Sequence, residues 1–275
     1  MTPAFSFALL AALVALAPGI HAAPAATSIP GLLAHQDDII PLSPEEIGVF
    51  KPYTWYARTT ACNLSAIMEG DCGTNCEANP TFKPIATGGD GDDTQFWFVS
   101  YDPFLDTIIV AHQANNFSDL WVCSGHYRCC PKGTLYVPNE AHTDSLTFPR
   151  CCYRPSGCCI SPQVHLPSDV TMSYRGYSSP QVGNQAFEDY FDSLGMYAVR
   201  LNNKEDPVPV LPPITFFEYH HVSGEVHIKD DNVWVSCPGQ DNPSDQCSTG
   251  DVTVYYNSEV SDHSGPFDGV TLGIC

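Results

Sequence analysis

The stretch Val199-Arg200-Leu201-Asn202-Asn203-Lys204-Glu205-Asp206-Pro207-Val208-Pro209-Val210-Leu211-Pro212-Pro213 limits the folds open to this chain more than any other. Its start alternates apolar and polar side chains, the pattern of a β-strand. The prolines that follow fix φ and remove backbone donors, so neither a helix nor a central strand can continue through them. Asp206 therefore sits just past a strand end, its carboxylate held by a stiff loop. Open α/β sheets gather their ligand-binding groups at the carboxyl ends of the strands. Asp beside Pro is also a common pair in surface turns, so the local pattern by itself leaves both readings open.

Three further blocks narrow the choice. Upstream lies Pro180-Gln181-Val182-Gly183-Asn184-Gln185-Ala186-Phe187. Downstream lie Tyr219-His220-His221-Val222-Ser223-Gly224-Glu225-Val226-His227-Ile228 and Ser261-Asp262-His263-Ser264-Gly265-Pro266-Phe267-Asp268-Gly269. Together with Asp206-Pro-Val-Pro-Val-Leu-Pro-Pro, and in this order, they resemble the secreted fungal class 3 lipases over roughly residues 50–113 and 165–275. The resemblance implies an α/β-hydrolase-like fold, with a central mixed sheet and flanking helices. It implies hydrolysis of carboxylic esters such as acylglycerols at a lipid–water interface. It also implies a Ser-Asp-His triad in the order that α/β-hydrolases use, with Asp206 as the acid and His263 as the base. The imidazole would take the proton of a serine hydroxyl and pass it to the leaving alcohol, while Asp206 holds the other ring nitrogen. Asp262 reads as a loop former, and His220, His221 and His227 as packing or surface residues. No cofactor or metal is implied.

The nucleophile is missing. From Phe117 to Gln163 the sequence has no sustained period of two or 3.6, and prolines at 131, 138, 149, 155 and 162 interrupt it. A lid helix, a nucleophile strand and the helices around them need roughly 90–100 residues. The interval is about half that long. It contains no Gly-x-Ser-x-Gly elbow; Ser124-Gly125-His126 has suitable residue types in the wrong order. The family's oxyanion pair after the second hairpin strand, Gly then a hydroxyl residue, is here Ala114-Asn115. Back-translation of Thr147-Phe148-Pro149-Arg150-Cys151-Cys152-Tyr153-Arg154, read one nucleotide later, can spell His-Ser-Leu-Gly-Ala-Ala-Ile-Ala, the family's elbow running into its helix. This points to translation out of frame across the segment. A true Cys-rich insertion is the rival. A zinc site there fits poorly, because adjacent cysteines cannot easily both reach one tetrahedral ion and the usual ligand spacings are missing.

The first residues bear on export. Phe5–Ala17 is an apolar run too short to span a bilayer as a helix, broken by Pro18-Gly19 and followed by small residues up to Ala22. This reads as a signal peptide, residues 1–22, followed by a propeptide or N-terminal arm over 23–50 and a lipase-like domain over 51–275. A secreted, extracellular protein is expected, with no integral membrane segment. Export also means paired cysteines. The chain has 13, an odd number. Cys72 with Cys76 would close a tight loop, and Cys237 with Cys247 would close the polar loop between them. The resemblance implies Cys62 with Cys275. The surplus then falls in residues 117–163, with Cys123, Cys129, Cys130, Cys151, Cys152, Cys158 and Cys159.

The formal charge of −20 argues against nucleic acid or an anionic membrane surface as partner. Asn63-Leu64-Ser65 and Asn116-Phe117-Ser118 match the glycosylation acceptor pattern. Two other functional classes stay in view: a non-catalytic secreted relative that binds lipid or cell wall, and a disulfide-rich interaction protein built on residues 117–163.

Lys51–Met68 reads as one opening helix. Thr94–Asp102 and Asp106–Gln113 read as a hairpin, Thr171–Tyr177 as a strand, and Gln185–Leu194 as a helix capped by Asn184. Glu225–Ile228 and Val233–Ser236 read as late strands.

Overall fold

The computed structural model describes residues 38–91, 95–113, 171–253 and 258–275. The altered segment, the Ala114-Asn115 pair, Asn116 and the leader lie outside the described residues.

Eight strands form two sheets among the described residues. β1 (Ile40–Pro41), β5 (Ser173–Tyr177), β6 (Tyr197–Asn203), β7 (Glu225–Ile228) and β8 (Trp234–Cys237) make a five-stranded sheet in the order β1-β8-β7-β6-β5. β5, β6 and β7 run parallel, and β8 and β1 pair antiparallel at the far edge. The sheet is therefore mixed, with flanking helices. The second sheet, β2 (Lys83–Gly88), β3 (Trp97–Asp102) and β4 (Thr107–His112), is an antiparallel meander.

β6 is the centre of the larger sheet. All seven of its residues are buried, as expected for a parallel strand covered on both faces. Tyr197, Val199 and Leu201 pack with Phe50, Val226, Ile228, Trp234 and Phe267. Ala198 joins a separate cluster with Tyr174, Phe187, Phe191 and Val222. Phe187 and Phe191 come from the helix Gln185–Ser193, whose Asn184 side chain accepts a hydrogen bond from the Phe187 amide.

The opening helix is two helices, Lys51–Thr59 and Leu64–Glu69, rather than one over Lys51–Met68. The Thr59 and Thr60 hydroxyls donate back to the Trp55 and Ala57 carbonyls, a local competition that favours a break. Asn63 is then extended and caps the second helix by accepting from the Ser65 amide. A preceding turn, Pro44–Gly48, starts with a reciprocal capping box between Ser43 and Glu46.

The hairpin β3–β4 is pinned by Asp102. Its Oδ1 accepts from the Phe104 amide at 2.8 Å and the Thr81 hydroxyl at 2.6 Å, and its Oδ2 from the Tyr56 hydroxyl at 2.6 Å. Burial alone would raise the Asp102 pKa. The hydrogen bonds to the charged form outweigh it and hold the carboxyl below its ordinary range. β5 meets the first helix through Arg175, whose guanidinium lies 3.7 Å from the Tyr53 ring centroid, and through Tyr177, whose hydroxyl is 3.1 Å from Thr54 Oγ1.

Three disulfides join described residues: Cys62–Cys275, Cys72–Cys76 and Cys237–Cys247. The first crosses a sequence separation of 213 and ties the end of the chain to the first helical pair.

Candidate active site

β6 delivers Asn203 to the edge of the sheet, Lys204 turns the chain with φ of +48°, and Asp206 follows. Asp206 is 1% exposed. One carboxylate oxygen is used locally: Oδ1 accepts from the Val208 amide at 2.9 Å, closing an Asx turn at the start of the short 3-10 helix Val208–Val210. That bond fixes the rotation of the carboxylate and leaves Oδ2 facing His263, whose Nδ1 is 3.1 Å away. The Asp206 loop is rigid because proline fills it and because its neighbours bond to it. The Gln181 amide donates to the Leu211 carbonyl at 2.9 Å, and His221 Nε2 lies 2.5 Å from the Pro209 carbonyl. Burial, reinforced by nearby Arg200, drives the His221 pKa well below its ordinary value, so this ring is neutral and donates one hydrogen bond.

His263 stands on the 3-10 turn Val260–Ser264. Three bonds hold that turn against the acid loop and the tail. The Glu259 amide donates to the Glu205 carbonyl at 2.9 Å, Asn203 Nδ2 donates to the Asp262 carbonyl at 2.9 Å, and the Leu272 amide donates to the Ser264 carbonyl at 2.8 Å. Asn203 is fully buried. One strand end thus carries the acid and also grips the backbone next to the base. The resemblance did not single out Asn203; its signal was a polar pair at the point where the strand's alternation stops. Asp262 serves the turn through its backbone, and burial raises its own pKa.

An Asp–His pair of this geometry fixes a tautomer. With Nδ1–H donated to Asp206, the imidazole's lone pair is on Nε2, the arrangement in which a ring can act as general base while the carboxylate stabilises the imidazolium. His263's side chain is 21% exposed, so the ring is reachable while its partner is sealed.

The other histidines are placed elsewhere. His220 Nδ1 meets Asp241 Oδ2 at 2.8 Å, and His227 is fully buried between the Gln246 and Lys204 carbonyls. No group of three or more His, Cys, Asp or Glu side chains that could hold a metal ion occurs among the described residues. No helix among them is long and apolar enough to cross a membrane.

The opposite face of β6 holds a buried polar network. Arg200 is 1% exposed; its Nε donates to the Val222 carbonyl at 2.8 Å and one terminal nitrogen donates to the Gln240 carbonyl at 3.0 Å. The same nitrogen is 3.6 Å from Glu225 Oε2. Glu225 Oε1 accepts from Asn202, at 3.2 Å, and from both the amide and hydroxyl of Ser248.

Comparisons with known proteins agree with this fold. Residues 163–216, which include Asp206, match the model of the lipase (class 3) family. A secreted mono- and diacylglycerol lipase of Gibberella zeae is 36% identical over 102 residues, covering 35% of this chain and 30% of the length of that relative. Among solved structures, the triacylglyceride lipase of Rhizomucor miehei superposes with a TM-score of 0.65 at 20% identity, covering 86% of this chain and all of that one. Lipase II from Rhizopus niveus gives a TM-score of 0.61 at 18% identity, covering 86% and 99%. The fold is that of the fungal lipases, an α/β-hydrolase-like mixed sheet, and the chain is similar to class 3 lipases in its matched segment.

Proposed function

We propose that this chain is a secreted class 3 lipase-type protein whose acid and base, Asp206 and His263, are in place and whose nucleophile is absent. The parent reaction is hydrolysis of carboxylic esters such as acylglycerols. The observation that carries the proposal is the 3.1 Å contact between His263 Nδ1 and a carboxylate oxygen of sealed Asp206 at the end of a parallel strand. A surface turn has no reason to bury an Asp against an imidazole from 57 residues downstream. Without a serine on an elbow the pair lacks the nucleophile that acyl transfer needs. Loss of the nucleophile removes nearly all catalysis even when the other two groups remain. The missing elbow is ascribed to a mispredicted intron or a frameshift across residues 117–163. A corrected transcript there would give back the elbow together with the residues the interval lacks.

Sequencing the gene and transcript across codons 113–165 tests that origin, and a short-chain ester assay tests the chemistry. The chain as given should release no product above background. The product of the corrected transcript should be active, and should lose about 10⁴-fold in kcat with Asp206→Asn, the scale seen when a triad acid is neutralised. A transcript with no serine-bearing elbow in any frame would overturn that origin. Full activity of the corrected chain after Asp206→Asn and His263→Ala would overturn the site.

A second reading is a non-catalytic relative that binds lipid or cell wall. It is favoured by a transcript that matches this chain throughout and a folded product that binds without turnover.

A further inference from the structure

Four places in the sequence have an Asn two residues before Ser or Thr: Asn63, Asn79, Asn116 and Asn242. At Asn79 and Asn242 the middle residue is proline, which excludes the acceptor pattern. Asn116 lies outside the described residues. Asn63, with Leu64 between it and Ser65, is exposed, as is Ser65.

The local geometry suits an acceptor. Asn63 Oδ1 accepts from both the Ser65 amide at 2.9 Å and the Ser65 hydroxyl at 2.7 Å. The residue two positions on thus presents its hydroxyl to the side-chain amide, and neither bond uses Nδ2. Leu64 turns inward against the cluster of Tyr56, Cys62, Ile67 and Phe98, so the Asn and the Ser face solvent together. A substituent on Nδ2 leaves both hydrogen bonds intact. Asn242 shows the same turn, with its Oδ1 accepting from the Ser244 amide at 3.0 Å. Two features set it apart: Pro243 fills the middle position, and its Nδ2 donates to the Pro238 carbonyl at 2.9 Å. Timing also favours Asn63. The neighbouring Cys62 pairs with Cys275, 213 residues downstream, so the bridge cannot close over the acceptor until long after that stretch has emerged.

We infer that Asn63 carries an N-linked glycan, placed beside the bridge that ties the chain's end to its first helices. The inference rests on export, which the proposed function includes. The donor is an oligosaccharide on a lipid diphosphate. Asn63 Nδ2 forms a bond to the anomeric carbon, the glycosyl–phosphate bond breaks, the lipid diphosphate leaves, and the amide gives up one proton.

The test is to express the full chain in a secreting eukaryotic host, once with residues 1–22 and once with a known export leader in their place. Peptide mapping then follows glycosidase treatment in heavy-oxygen water. The peptide spanning Asn63 should appear as labelled Asp, and the band should shift on glycosidase treatment. Asn63→Gln and Ser65→Ala should each abolish the label at 63, and Ser65→Thr should keep it. Ser65→Ala retains the capping bond from the backbone amide, so loss of label there is not a folding failure. A chain exported under the borrowed leader with Asn63 unlabelled overturns the inference. Label under the borrowed leader alone supports Asn63 as an acceptor and overturns the export reading instead.

Discussion

β6 and β4 are strands of similar length with opposite surroundings. Every residue of β6 is buried, while β4 alternates, with Ile108 at 65% and Val110 at 59% exposed and Ile109 buried between them. Both read as alternating or β-branched runs in the sequence. The difference lies in what covers them. β6 has parallel neighbours on both sides and side chains packed on both faces, so its polar residues must find partners within the protein. β4 belongs to an antiparallel meander with one face on the core cluster of Tyr56 and Phe98, and the other open among the described residues. The region that positions Asp206 is therefore over-determined. The meander is held mainly by one face, the Asp102 bonds and disulfides at its helical neighbours.

The largest expected effect separates the crosslink between distant parts of the chain from the one within a tight loop. Cys62–Cys275 spans a separation of 213, and Cys72–Cys76 a separation of 4. In the chain-entropy picture, opening the first by Cys62→Ser with Cys275→Ser should cost about 5 kcal/mol, and opening the second about 2 kcal/mol. Denaturant titration of the two double variants measures both. Equal losses would mean that the long bridge does not restrain the unfolded chain.

Next comes Leu201→Ala. Leu201 is fully buried on the face that packs Val226, Trp234 and Phe267. Removing a buried leucine leaves a cavity in a rigid sheet centre, with an expected loss of about 3–4 kcal/mol by the same titration. A loss below 1 kcal/mol would show that β6 can collapse around the gap and is less fixed than its burial implies.

These two regions also show how far the sequence could be read. The Asp206 loop and the His263 turn each carry a compact local signal, a strand run into prolines and a histidine before Gly-Pro, so both could be placed on loops. That the two meet followed from the family resemblance, since nothing in either segment specifies the other. The grip of Asn203 on the Asp262 carbonyl was invisible, because an Asn at a strand end is equally suited to solvent. Arg200 shows a different limit. Alternation within Val199–Asn203 suggests one dry and one wet face, yet Arg200 is buried on carbonyls from Val222 and Gln240 beside Glu225. Periodicity reports polarity, not water. The break at residues 60–63 was legible in principle from Asn63-Leu64-Ser65 as a cap, but the helical character on either side masked it.

Glu188 gives the third test, again confined to the β6 side. It is fully buried on the helix Gln185–Ser193. Burial, reinforced by Asp192 and Asp241 and opposed by Arg200, pushes its pKa from 4.5 up to about 9. A raised folded-state pKa means that the folded chain holds a proton the unfolded chain has lost. Its contribution is complete below pH ~4.5 and is lost as pH rises towards about 9. Stability should fall across that window by up to about 1.4 kcal/mol per pH unit from this group. Glu188→Gln, neutral throughout, should flatten the slope. An unchanged slope would place the proton elsewhere.

The smallest expected effect is the sharpest probe of the contrast. Ile108 lies opposite Tyr101 in the β3–β4 register and is 65% exposed. Ile108→Thr keeps the branch at Cβ that suits a pleated strand and removes apolar surface that is already largely in water. Stability should change by less than about 0.5 kcal/mol. Ile109→Thr, one position along and 8% exposed, puts a hydroxyl into the cluster of Tyr56, Ile67 and Phe98 and should lose several times more. If the two variants lost stability equally, the outer face of β4 would have to be covered in solution, and the contrast between the two strands would fall.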